Sequence, residues 1–171
     1  MDSMTTLIVS AVAAVLAWFA VNFLGRPVLA VREKRLEAIQ TAEQYFNVSL
    51  VSSVELRTTS LKSLNDVGSA LRAYSREASI ATQLYCHLMK YDLELAADCL
   101  FGLAKGALEN NISEDQRRNT LNALYVSLGA TSHLTQTEIE TVRRQIAEVR
   151  GASLNAAPPV ILPFDNSPPI E

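Results

Sequence analysis

The chain has 171 residues, a formal net charge of −3 and 49% hydrophobic side chains. That is enough for one membrane span and one domain of about 100–130 residues. All 15 Lys and Arg lie after Gly25, and basic and acidic side chains nearly balance over 47–157, so no basic face for nucleic acid is expected.

The first segment, Thr5 to Leu24, is apolar and free of charge. Twenty residues at about 1.5 Å each reach roughly 30 Å, the thickness of a bilayer core. The start, Met-Asp-Ser-Met, lacks the basic n-region of a cleaved signal peptide, and no small-x-small site follows. A retained transmembrane helix over residues 1–25 is the expectation. Leu7, Trp18, Phe19, Phe23 and Leu24 are its anchoring side chains toward lipid. Ser10, Ala14 and Ala17 are spaced as a small-residue face, so a homo-oligomer through the span is a candidate assembly.

Arg26, Arg32, Lys34 and Arg35 follow the span, and no Lys or Arg precedes it. The positive-inside rule then puts the N-terminus outside and the remainder in the cytoplasm. The same four residues are the candidates for contact with anionic lipid, although Glu33 and Glu37 dilute their charge. Two glycosylation sequons, at Asn47 and Asn111, would be silent in that compartment.

Gly25-Arg26-Pro27 predicts a kink or short break, because proline lacks an N–H and restricts the residue before it. A juxtamembrane helix follows over 26–46, with Leu29, Leu36, Ile39 and Phe46 recurring at helical spacing. Arg26-Pro27 after a span, then Leu29, Arg32 and Glu33, and Asn47-Val48 after an aromatic residue, resembles uncharacterised bacterial single-pass membrane proteins. The resemblance covers about the first fifty residues. It implies a bacterial cell (inner) membrane and no particular activity.

Residues 47–60 fit a strand or a helix, and a loop passing into a helix is the reading adopted. Leu61, Leu64, Val67/Gly68, Leu71, Tyr74, Ala78, Ala81, Tyr85 and Leu88 make a seam of alternating three- and four-residue steps. It belongs to one long helix or to two with a break near Ser79. Asp92 caps the next helix, which carries Leu93, Ala96, Ala97, Leu100, Leu103, Ala104 and Leu108. Ser113 with Gln116, and Thr135 with Glu138, are capping boxes for two more. Gly129 stands where a left-handed C-terminal residue belongs. Ile139, Val142, Ile146 and Val149 space the last helix, which Gly151 is expected to close.

The fold class is therefore all-α: an N-terminal transmembrane helix, then a cytoplasmic bundle of about five helices over 47–151 behind the juxtamembrane helix, and a disordered Pro-rich tail over 152–171. Val160, Ile161, Leu162 and Phe164 are apolar residues set among the tail's prolines, and they form a candidate partner-binding segment.

No recognised phosphate-binding, nucleophile-elbow or metalloprotease motif occurs. Cys86, His87, Cys99 and His133 match no common zinc spacing, and the cysteines read as reduced, buried apolar residues. Asp92, Glu94 and Asp98 read as acids at a helix start rather than a cation site. Neither catalytic residues nor a metal or cofactor are expected. The expected function is a membrane-tethered interaction or scaffold protein, not an enzyme, with membrane lipid and a protein partner as ligands. A membrane-acting effector or pore subunit is the alternative, and an enzyme with an unrecognised site a second one.

Overall fold

The computed structural model describes residues 3–48, 52–107 and 112–155. Seven α-helices, one π turn and one short 3-10 turn account for nearly all of them, and there is no strand among the described residues. The elements are α1 (Ser3–Phe19), a π segment (Ala20–Gly25), α2 (Arg26–Tyr45), α3 (Val54–Arg76), α4 (Ile80–Met89), α5 (Leu93–Gly106), α6 (Glu114–Ser127), the 3-10 turn (Thr131–His133) and α7 (Gln136–Asn155). After the π segment come α2, where the juxtamembrane helix was expected, and the five helices α3–α7 of the bundle, as expected. The long seam divides, since Ser79 accepts a hydrogen bond from the Thr82 amide and starts α4 as a new helix.

The expected break at Pro27 is absent. Phe19, Gly25 and Arg26 all have right-handed helical backbone angles, so α1 runs through the π segment into α2. The Arg26 amide bonds to the Val21 carbonyl, five residues back. A proline ring in a regular α-helix collides with the carbonyl four residues before it. The widened turn just ahead of Pro27 accommodates the ring without ending the helix.

The core is built on α5, which presents Ala96, Ala97, Cys99, Leu100, Leu103 and Ala104 to its neighbours. Its small residues let helices come close. A Cβ on Gly68 of α3 would stand 3.0 Å from the Phe101 ring of α5. One on Gly102 would stand 3.3 Å from Thr120 of α6. Leu64 and Leu71 of α3 and Leu124 and Leu128 of α6 complete the buried cluster.

Two expected stripes differ in the structure. On α2 the buried face is Val31, Ala38 and Ala42, while Leu29 and Leu36 are exposed. Ile39 and Phe46 of the expected stripe are half-buried against the core, so the stripe fails at Leu29 and Leu36 alone. On α3 the seam is buried at Leu64, Gly68 and Leu71, but it does not continue along α4, whose Leu88 is 75% exposed. The break at Glu77–Ser79 resets the helical phase. At the other end, α7 passes Gly151 and continues to Asn155, so that glycine closes nothing.

The caps fall where local chemistry demands them. Ser113 and Gln116 form a reciprocal capping box on α6. Thr135 and Glu138 do the same for α7. Asp92 accepts the Leu95 amide at 3.0 Å and starts α5. Gly129 has φ +66° and ends α6 in a Schellman motif, with Ala130 N–H donating to Tyr125 and Gly129 N–H to Val126. Lys90 closes α4 in the same way, with φ 56°.

Candidate functional site

The N-terminal helices hold the exposed apolar and basic side chains singled out in the sequence. Along α1, Ile8, Val9, Val12, Val15, Leu16, Trp18 and Phe19 are all more than half exposed. At about 100° per residue these positions cover about half of the helix circumference, and Ser10, Ala13, Ala14 and Ala17, also exposed, cover the other half. The one substantial neighbour of α1 among the described residues is the π segment that continues it. Of Leu7, Phe23 and Leu24 the structure describes the backbone alone, Leu7 in α1 and the other two in the π segment.

The polar group at the inner end of this apolar stretch is satisfied within the helix. The Asn22 side-chain amide donates to the Trp18 carbonyl at 2.8 Å. A widened turn leaves carbonyls less well paired, and a side-chain donor nearby removes the penalty of exposing one to hydrocarbon.

Of the four basic residues that follow, Arg26 and Arg32 point outward. Lys34 pairs with Glu37 at 2.7 Å. Arg35 turns into the fold. Its Nε donates to the Leu128 carbonyl at 2.6 Å and an Nη to the Gly129 carbonyl at 3.2 Å. Its guanidinium also lies 5.3 Å from the centre of the Tyr91 ring. A cation on the last carbonyls of a helix is favoured by both hydrogen bonding and the helix dipole.

Two further arginines repeat this plan. Arg72 of α3 pairs with Asp98 of α5 and lies 4.7 Å from the centre of the Phe101 ring. Arg117 of α6 donates to the carbonyls of Phe46 and Val48 at the end of α2, with its guanidinium 5.5 Å from the Phe46 ring centre. Each arginine thus links two helices and is stacked on an aromatic side chain. Tyr125 adds a link from α6 to α2 by donating to Glu43 at 2.9 Å, and burial together with that bond pushes its phenol up to about 12. Sequence reasoning missed all of these ties.

The residues with catalytic potential are placed apart or engaged. Among the described residues, no three His, Cys, Asp or Glu side chains come together as a metal site. Burial, with Asp98 adding to it, pushes the Cys99 thiol up to about 12, and burial also raises that of Cys86. Such thiols are poor sources of the nucleophilic thiolate. The acidic cluster splits into a cap at Asp92, an ion pair at Asp98 and an exposed Glu94. A cleft of about 360 Å³ lies between Phe46, Asn47, Ile112, Glu114 and Arg117. Arg117 directs its guanidinium there at the two backbone carbonyls.

Comparison with protein-family models, with curated proteins and with solved structures finds no match. Val160, Ile161, Leu162 and Phe164 lie outside the described residues.

The α3–α4 corner stands beside the end of the apolar stretch. The Tyr74 hydroxyl donates to the Pro27 carbonyl at 3.4 Å, and α4 packs on both the π segment and α2. Taken one at a time, no helix of the described residues is long and apolar enough to cross a membrane. α1 has 17 residues and the π segment adds six.

Proposed function

We propose that this chain is a membrane-tethered helical interaction or scaffold protein, without catalytic activity of its own, held in a bacterial inner membrane by α1 and the π segment. One observation carries the reading: every residue of α1 from Ile8 to Phe19 is exposed, and Ser10 is the one polar side chain among them. Water opposes such a surface, and lipid accepts it. The uninterrupted path from Ser3 to Gly25 spans roughly 30–35 Å at about 1.5 Å per α-helical residue, which suits a bilayer core. Arg26 and Arg32 beyond it favour an outside N-terminus with the bundle in the cytoplasm.

Tethering raises the local concentration of a weak binding domain near membrane-bound partners. The arginine-tied bundle supports a rigid scaffold more than a reaction centre, because Arg35, Arg72 and Arg117 are engaged in holding helices together. Small residues along α1 favour pairing of spans in lipid.

Reporter fusions after Asn155 test the topology. Activity of a cytoplasmic reporter, with the protein retained in membranes after alkaline extraction, is expected. Activity of a periplasmic reporter there, or release at alkaline pH, would overturn it. Purification in detergent and identification of bound proteins tests the scaffold reading. Release of ions from sealed vesicles by the purified protein would favour a pore subunit instead.

A further inference from the structure

The most conspicuous surface away from α1 is on α4. Ile80, Leu84 and Leu88 recur at steps of four and are 85%, 64% and 75% exposed, with Met89 beside them at 45%. Steps of four place them in one line along the helix. The opposite face faces the bundle: Thr82 is buried, and Ala81, Tyr85 and Cys86 are half-buried. The outer side of α4 thus carries an apolar line that faces away from its own domain, bordered by the exposed Gln83 and His87.

Its position says what that side meets. α4 packs against the π segment, which ends the apolar path from α1. The helix before it closes at the level of Pro27, where the Tyr74 hydroxyl reaches the Pro27 carbonyl. α4 therefore lies next to the end of the apolar path, at the point where the chain leaves the proposed span. The charges fit the same surroundings. α4 itself has no acidic residue, and Arg76 and Lys90 flank it, both exposed, with Glu77 the one acid at its start. Arg26 and Arg32 of the adjacent helix add two further exposed cations.

We propose that α4 is an interfacial helix: its Ile80–Leu84–Leu88 stripe rests in the headgroup–acyl boundary of the cytoplasmic leaflet, and Arg76, Lys90, Arg26 and Arg32 contact anionic headgroups. Interfacial helices lie in that zone with their apolar side buried about 5–10 Å deep. The proposal rests on the membrane reading of α1, and it goes further. The bundle is not suspended on a stalk but sits on the bilayer, with one face closed to soluble partners.

The test uses the full chain in vesicles of phosphatidylethanolamine and phosphatidylglycerol. A Cys86→Ser background leaves Cys99, which is buried, and single cysteines are added for an environment-sensitive fluorophore at Leu84, at Leu88 and, as a control, at Arg144 on α7. Circular dichroism checks that each labelled protein keeps its helicity. Trp18, the only tryptophan, reports the span in the same sample. The expected result is blue-shifted emission at 84 and 88, with quenching by lipids nitroxide-labelled near the headgroup and little by aqueous iodide, while the control shows the reverse. Replacing phosphatidylglycerol by a neutral lipid is expected to weaken the shift. Iodide quenching at 84 and 88 equal to the control, with Trp18 quenched by lipid, would overturn the interfacial helix and leave the span intact. Protection at 84 and 88 from both quenchers would show a protein surface, a second copy or this chain's own tail, in place of lipid. A Trp18 untouched by lipid quenchers would overturn both readings together.

Discussion

Arg35 in α2 donates to the backbone carbonyl of Leu128 at the end of α6, ninety-three positions away. The bond joins the helix that leaves the apolar segment to the far side of the bundle. The neighbouring Gly129 carbonyl accepts from the same guanidinium, and the Tyr91 ring lies beside it. Three segments distant in sequence are closed at one point.

Arg35→Gln is expected to lower unfolding free energy by about 1.5–3 kcal/mol, the usual range for hydrogen bonds to a charged group. Arg35→Lys should recover only part of this, since an ammonium cannot reproduce a planar fork over an aromatic ring. Urea unfolding followed by far-UV circular dichroism in detergent measures both. Equal stability of Gln and wild-type proteins would mean that this tie contributes nothing.

Gly129 and Lys90 predict opposite signs. Both occupy the left-handed region, with φ +66° and 56°. In Gly129→Ala the new Cβ would lie 2.6 Å from Tyr91 Cε1, and the backbone strain adds about 1–2 kcal/mol. A loss above that range is expected. Lys90→Gly removes the strain at its position while loosening the unfolded chain, for a net gain of up to about 1 kcal/mol. Thermal melts of the two variants check the pair.

At Gly68 two effects compete. An alanine inside a helix is favoured over glycine by about 1 kcal/mol. Its Cβ would stand 3.0 Å from the Phe101 ring, and Arg72 lies against that same ring and restricts its retreat. Overpacking typically costs about 1–3 kcal/mol, so the contact should win. Gly68→Ala is expected to destabilise mildly and Gly68→Val more strongly. A stabilised alanine variant in denaturant titration would show that the α3–α5 contact yields easily.

The start of α7 should respond to acid. The Thr135 amide and hydroxyl both donate to the Glu138 carboxylate and hold its pKa below the ordinary 4.5. A depressed carboxylate contributes stability that is present above its unfolded value and is lost as pH falls through the folded one. Hydrogen exchange at the first-turn amides of α7 should therefore accelerate, relative to the intrinsic rate, as pH drops below about 4.5. In Glu138→Gln, which keeps an acceptor but does not titrate, that acceleration should vanish.

What sequence could reveal tracks the range of each interaction. Ser113 with Gln116, Thr135 with Glu138 and Asp92 with Leu95 are partners three positions apart, so the pattern carries the bond. Gly129 is legible for the same reason, because glycine at the end of a periodic run has few other uses. Arg35, Arg72 and Arg117 were not legible. Their partners come from other helices, and an arginine bound to a distant carbonyl looks in sequence like any arginine on a wet surface. The phase of α2 misled at two positions. Leu29 and Leu36 are the obvious apolar pair, yet the side against the bundle carries Val31, Ala38 and Ala42. Arg35 lies on this same inner face, where a hydrophobicity pattern would never place it.

The π turn at Ala20–Gly25 has a consequence for assembly. A π turn inserts the equivalent of one additional residue into an α-helical path, and each residue turns the chain by about 100°. Since the helix is unbroken on either side, this extra angle is passed on whole to the bundle. The turn therefore fixes the compass bearing of the bundle about the axis of α1. If two chains pair through Ser10, Ala14 and Ala17, the faces that their bundles turn toward each other are chosen by those six residues before any bundle surface has a say.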